Sequence, residues 1–102
     1  MIIIYTTCKN KKEAQKIALL LIKLKLAACV KFWPINSQYW WKNKIINDQE
    51  HFLLMETKES FYKKIETLIK KIHSYETPCI LCLKINKGEK NYLKWLINSL
   101  AM

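Results

Sequence analysis

Hydrophobic and polar positions along this chain switch between a two-residue and a 3.6-residue rhythm. Met1–Thr7 is a β-branched and aromatic run, which predicts a buried strand. The rhythm changes at Asn10, a strong helix N-cap residue, with Glu13 three positions on where its carboxylate can reach back to the cap amide. Ala14, Ile17, Ala18, Leu21 and Ile22 then form the stripe of a helix with one buried face. Leu19, Leu20 and Leu24 widen it, so the opposite flank is expected to be partly covered. Leu26–Val30 reads as a second strand. Pro34 interrupts it, which predicts an edge position or a bulge, and it resumes from Ser37 to Lys42. Lys42–Lys44, with Asn43 at its centre, is the expected turn. Ile45–Met55 is then the antiparallel partner, because no helical stripe or crossover separates the two runs.

Phe61, Ile65, Leu68, Ile69 and Ile72 mark a second helix, with Thr57 as its expected cap and Glu59 in its positive first turn. Lys70, Lys71 and His73 suit its negative end. Pro78 opens a fourth strand, Cys79–Asn86. Lys87-Gly88 is a turn, and Tyr92–Leu100 is a short helix bearing Trp95. The order β-α-β-β-α-β-α predicts an α+β, ferredoxin-like βαββαβ domain with a C-terminal helix, one domain spanning residues 1–102.

The central hairpin is too long for that domain. The 15 positions from Ala28 to Lys42, at ~3.3 Å each, reach nearly ~50 Å if extended, against a domain roughly 34 Å across. It must bend at Pro34 or project. Its outer half carries Tyr39, Trp40 and Trp41, and neighbouring strand residues face opposite sides, so one core cannot hold both tryptophans. Aromatic surface on two faces of an arm calls for another chain, and an oligomer is expected.

Composition narrows the class. Hydrophobic residues make up 51% and charged residues 25%, which excludes a disordered segment. A single Gly excludes glycine-rich phosphate loops. The 18 basic residues against 8 acidic give +10, but every basic residue is Lys. Specific nucleic-acid readout favours Arg. With abundant Ile and Asn, the charge reads first as compositional drift and second as a polyanion surface of steep salt dependence. Met1–Tyr5 is too short for a signal peptide, and Ile17–Ile22 falls far below the ~20 residues of a membrane span. A cytoplasmic protein with no membrane partner is expected, with reduced thiols.

The chemistry-bearing residues are few. Cys79 and Cys82 form a C-x-x-C inside a predicted strand, where their spacing puts the sulfurs on opposite faces. They read as buried strand cysteines rather than a metal or redox pair. Cys29, in a small-residue strand start, reads as packing. Cys8 closes the first strand beside Lys9, Lys11 and a helix N-terminus, which favours thiolate and leaves it open as structural or as a metal or redox thiol. His51 reads as hairpin surface. His73 ends a helix before the polar turn Ser74-Tyr75-Glu76-Thr77-Pro78, as a dipole partner or a metal ligand. No nucleophile elbow or acid–base pair is signalled, so an enzyme is not expected.

Taken in order, Leu26-Ala27-Ala28-Cys29-Val30, Ser37-x-Tyr39-x-Trp41, Glu50, His73-x-Tyr75-Glu76-x-Pro78 and Tyr92-Leu93-x-Trp95 resemble the CutA family of divalent-cation tolerance proteins, over Tyr5–Leu96. The resemblance implies a homotrimer that meets its neighbours through the long hairpins, with Tyr39, Trp40, Trp41 and Trp95 at the oligomer interface. It implies a cytoplasmic protein tied to tolerance of copper and other divalent metals. It also implies a metal set of His73, Cys8 and Glu50 for Cu or another divalent ion. The pattern departs from the family at Ser74, where Pro is usual, at Asn43, where Gly is usual, at Ile72, where some members have a second His, at Glu56, where a basic residue is typical, and at Thr6, where other members have the cysteine. His plus one thiol is too small a set for a closed site within one chain. The alternative is a signalling or scaffold trimer holding a small ligand or partner at inter-subunit clefts lined by Lys58, His73, Tyr75 and Glu76, by fold analogy alone.

Overall fold

A computed structural model describes residues 1–102. The elements are β1 (Ile2–Cys8), α1 (Lys11–Lys23), β2 (Cys29–Trp41), β3 (Lys44–Thr57), a 3-10 turn (Glu59–Phe61), α2 (Tyr62–Ile72), β4 (Ile80–Lys84) and α3 (Lys90–Asn98). This is the expected α+β order. The four strands form one antiparallel sheet in the order β2-β3-β1-β4. No helix is long and apolar enough to cross a membrane.

Register sorts the side chains. Ile2, Ile4, Thr6 and Cys8 of β1 lie opposite Thr57, Met55, Leu53 and His51 of β3, so these residues share a face. That face holds the core, where Ile2, Ile4, Cys8, Leu53 and Met55 meet Ala14, Ile17 and Leu21 of α1 and Ile65 and Ile69 of α2. The α1 stripe is as expected except at its end. Ile22 is 41% exposed, and Leu19 and Leu24 are more so, because α1 has only one covered flank. Pro34 does not interrupt β2. It pairs in register with His51 in a continuous strand. The sheet order explains this: β2 is an edge strand, where a missing N–H breaks no ladder.

Thr57 does not cap α2. It ends β3, and its hydroxyl donates to Leu26 O at 2.6 Å, closing the α1–β2 loop. The chain enters α2 through the 3-10 turn, without a side-chain cap. At the hairpin tip, Lys42 (φ 49°) and Asn43 (φ 63°) both lie in the left-handed region, as a two-residue type I′ turn demands. The arm projects, giving extents of 45 × 25 × 21 Å.

The other sheet face is uncovered in a single chain. Phe52 stacks between Tyr5 (5.0 Å) and Trp33 (4.9 Å), and Trp33, Leu81 and Leu83 stay exposed. β4 is shorter than expected, so Cys79 lies just outside it, and both Cys79 and Cys82 are exposed rather than buried. α3 is tied down by a buried carboxylate: Glu56 accepts from Lys31 Nζ and from the Tyr92 hydroxyl. Before α3, Gly88 lies so close to Leu93 that an added Cβ would sit 2.8 Å from its Cδ2.

Candidate metal site and adjoining cleft

His73 sits where α2 stops. Its N–H still bonds Ile69 O at 2.8 Å, but its backbone is extended, and the imidazole reaches the end of β1. The side chain is fully buried. Nε2 lies 2.7 Å from Thr7 O, and Nδ1 accepts the Tyr75 N–H at 3.1 Å. A carbonyl only accepts, so Nε2 carries the proton and the ring is the neutral tautomer with its lone pair on Nδ1. The Tyr75 ring packs at 4.8 Å.

Cys8 ends β1 and is wholly buried. The thiolate expected from Lys9, Lys11 and the helix dipole is not formed. Burial, followed by the fields of Glu13 and Glu50, pushes the thiol up to about 12. The lysines point to solvent while the carboxylates point inward. Glu13 lies close to both thiol and imidazole. It fulfils its capping role in part: its N–H donates to Asn10 Oδ1 at 2.9 Å, while its carboxylate reaches Lys9 N at 3.1 Å rather than the cap amide. The second carboxylate oxygen accepts from Ser74 N at 3.0 Å, and Oε1 lies 4.0 Å from His73 Nδ1. Burial acts to raise this carboxyl, but the hydrogen bonds from Ser74 and Lys9 hold it below the usual carboxylate range.

Ligand atoms of Cys8, Glu13 and His73 all lie within 4.8 Å of one another. Thiol, carboxylate and imidazole are the donor types that borderline and soft divalent ions take. These three residues would hold the ion, with the thiol losing its proton and Nδ1 exchanging the Tyr75 N–H for metal. Glu50, the expected third member, lies outside this group. Its carboxylate accepts the Tyr75 hydroxyl at 2.7 Å, and it reaches Cys8 only through its field. The sequence does signal Glu13, but as a helix cap. Only the Ser74 turn folding onto α1 shows that the same carboxylate faces His73.

Tyr75 links this cluster to a cleft of about 640 Å³ between the outer hairpin and the turn at 74–79. Tyr39, Trp41, Glu50, Tyr75, Glu76 and Cys79 are among its lining residues. Tyr75 and Glu76 line this cleft within one chain, whereas the expectation was a cleft between subunits. Lys58 does not join them in one chain. It lies at the far end of β3, over the Phe61 ring at 4.4 Å, with Nζ donating to Ala101 O at 3.2 Å. Trp40 (72% exposed) and Trp95 (47%) lie open, Trp95 against Tyr92 at 5.4 Å. Cys29 is half-buried.

The sequence matches the family model described as CutA1 divalent ion tolerance protein over residues 2–99. It is 39% identical over 93 residues to the divalent-cation tolerance protein CutA of Archaeoglobus fulgidus, covering 91% of each chain. Similarity to protein CutA 1, chloroplastic, of Oryza sativa is 39% over 99 residues, spanning 96% of this chain and 56% of that longer protein. The crystal structure of CutA1 from Pyrococcus horikoshii superposes with a TM-score of 0.96 at 32% identity over 100% of both chains.

Proposed function

The chain belongs to the CutA1 divalent ion tolerance family, and from that premise we propose that it is a homotrimeric, cytoplasmic metal-binding protein that takes copper at Cys8, Glu13 and His73. One observation carries the metal reading: three donors from β1, α1 and the α2 terminus converge within 4.8 Å. A thiol and an imidazole together favour copper over harder ions, and the Irving–Williams order points the same way. The site is closed and hydrogen-bonded, so binding is a weak, stress-level response that displaces a thiol proton. The thiol is protonated and both imidazole nitrogens are engaged, which gives no poised nucleophile or base and supports a non-enzymatic role.

The trimer reading rests on the uncovered sheet face around Trp33 and Phe52 and on the projecting arm with Tyr39, Trp40 and Trp41. Light scattering should return three times the chain mass of 12.2 kDa; a monomer at micromolar concentration refutes it. For the metal, the reduced, metal-free protein is titrated with Cu(I), Cu(II) and Zn(II) by calorimetry, beside Cys8→Ser and His73→Gln. Saturable binding weakened at least tenfold by either variant supports the site. Unchanged affinity in both, or no saturable binding, overturns it. A second reading, a trimer carrying a small ligand at the cleft, is favoured by the cleft's size and by its shared residue Tyr75.

A further inference from the structure

The positive charge of this molecule is gathered on two helices. α1 has 13 residues and α2 has 11, and together they hold eight lysines against two glutamates, a net of +6 out of the chain's +10. The 18 lysines spread evenly over 102 residues would put about four in these 24, so compositional drift does not account for the layer. All eight are exposed. Neither glutamate offsets them. Glu13 is engaged by Lys9 N and Ser74 N, and Glu66 by Lys63 Nζ and the Tyr62 hydroxyl. Of the eight lysines, only Lys63 has an ion-pair partner. A second feature lies on the same surface. Leu19 is 55% exposed, and Ile22 is open too. Ala14, Ile17, Ala18 and Leu21 face the core, which puts Leu19 on the outer side of α1. Lys16 and Lys23 stand at i−3 and i+4 from Leu19 and Ile22 at i+3, so the four are surface neighbours. Both helices pack on the core face of the sheet. The trimer reading covers the other face, around Trp33 and Phe52, and leaves this layer clear.

We propose that the outer surface of α1 and α2 docks on an anionic phospholipid bilayer. Leu19 and Ile22 enter the boundary between headgroups and acyl chains. Lys16 and Lys23 lie alongside with their ammonium groups at the phosphates, and the α2 lysines add charge. The absence of a spanning helix does not bear on this, since a surface contact needs none. Duplex DNA would match the charge but not the aliphatic pair. Single strands are held by stacking on aromatic side chains, and α1 has none. Phosphate and base readout also favours Arg, and the chain has no Arg.

The full protein is sedimented with vesicles of phosphatidylcholine alone and of three parts phosphatidylcholine to one part phosphatidylglycerol, in EDTA and about 0.1 M salt. Binding is expected to the anionic vesicles only, and should fall steeply as salt rises. Lys16→Gln with Lys23→Gln should weaken it about twentyfold. Leu19→Ser keeps the charge and should weaken it about tenfold, because the side chain no longer gains by leaving water. Lys87→Gln with Lys90→Gln removes equal charge outside the two helices and should change binding less than about twofold. All five positions are exposed, so folding does not depend on them. No binding to the anionic vesicles overturns the proposal. An equal loss in the two lysine pairs also overturns it, because the contact is then an effect of net charge. Leu19→Ser binding like the parent overturns the bilayer, and duplex DNA binding that weakens in the Lys16 and Lys23 variant then assigns the surface to nucleic acid.

Discussion

Replacing His73 by Ala tests whether the imidazole is a structural pin as well as a donor. The ring is fully buried. It holds Thr7 O at 2.7 Å and the Tyr75 N–H at 3.1 Å, joining the end of β1 to the turn after α2. Truncation leaves both backbone groups without these partners, at about 1–3 kcal/mol each when buried. Both bonds are only part-buried, so water softens the loss to about 1 kcal/mol apiece. The vacated ring volume adds about 1 kcal/mol or more. The expected loss is about 3 kcal/mol, a large share of the ~5–15 kcal/mol of a typical domain. The melting temperature should fall by roughly 12–24 °C. Urea unfolding at one fixed protein concentration gives the free energy, since association would otherwise shift the midpoint. His73→Gln restores an amide donor toward Thr7 and should recover about half. A loss under about 1 kcal/mol for Ala, or Gln no better than Ala, would refute the pin. The conservative variant is therefore the proper probe of metal binding.

Ellman's reagent should modify Cys82 well before Cys8 in the native protein, because Cys8 is buried and titrates at about 12; early Cys8 labelling would contradict the closed cluster. Glu13 titrates below the usual carboxylate range when folded, so it stabilises above that range and the contribution is lost as pH falls through it. Glu13→Gln should flatten the acid limb of melting temperature against pH, and a limb unchanged from the parent would sink this assignment. At the tip, Lys42→Asn with Asn43→Gly suits two left-handed residues and should add about 1 kcal/mol; an unmoved urea midpoint would count against the turn geometry. Tyr92→Phe removes the hydroxyl that Glu56 accepts and should cost about 1–2 kcal/mol, with hydrogen exchange in α3 rising first.

Local pattern determined the element order and the hairpin with its turn near Asn43, because β-branched runs, the Asn10 cap and the Ala14–Leu21 stripe each encode local geometry. The exposure of the arm's aromatics was also legible, since adjacent tryptophans on a strand cannot share a core. What local pattern could not decide was which neighbour a polar group finds across the fold. Thr57 caps nothing because Leu26 O lies opposite it. Pro34 is harmless because β2 is an edge. Cys8 keeps its proton because packing buries it and because Glu13 and Glu50, rather than the lysines beside it in sequence, act on it. Glu50 serves Tyr75 and the cleft, and Glu13 takes the place by His73, only because the turn after α2 folds back onto α1. Side-chain direction follows the local backbone and was readable; contacts between residues 60 apart depend on packing the helices on the sheet, and only the tertiary structure set them.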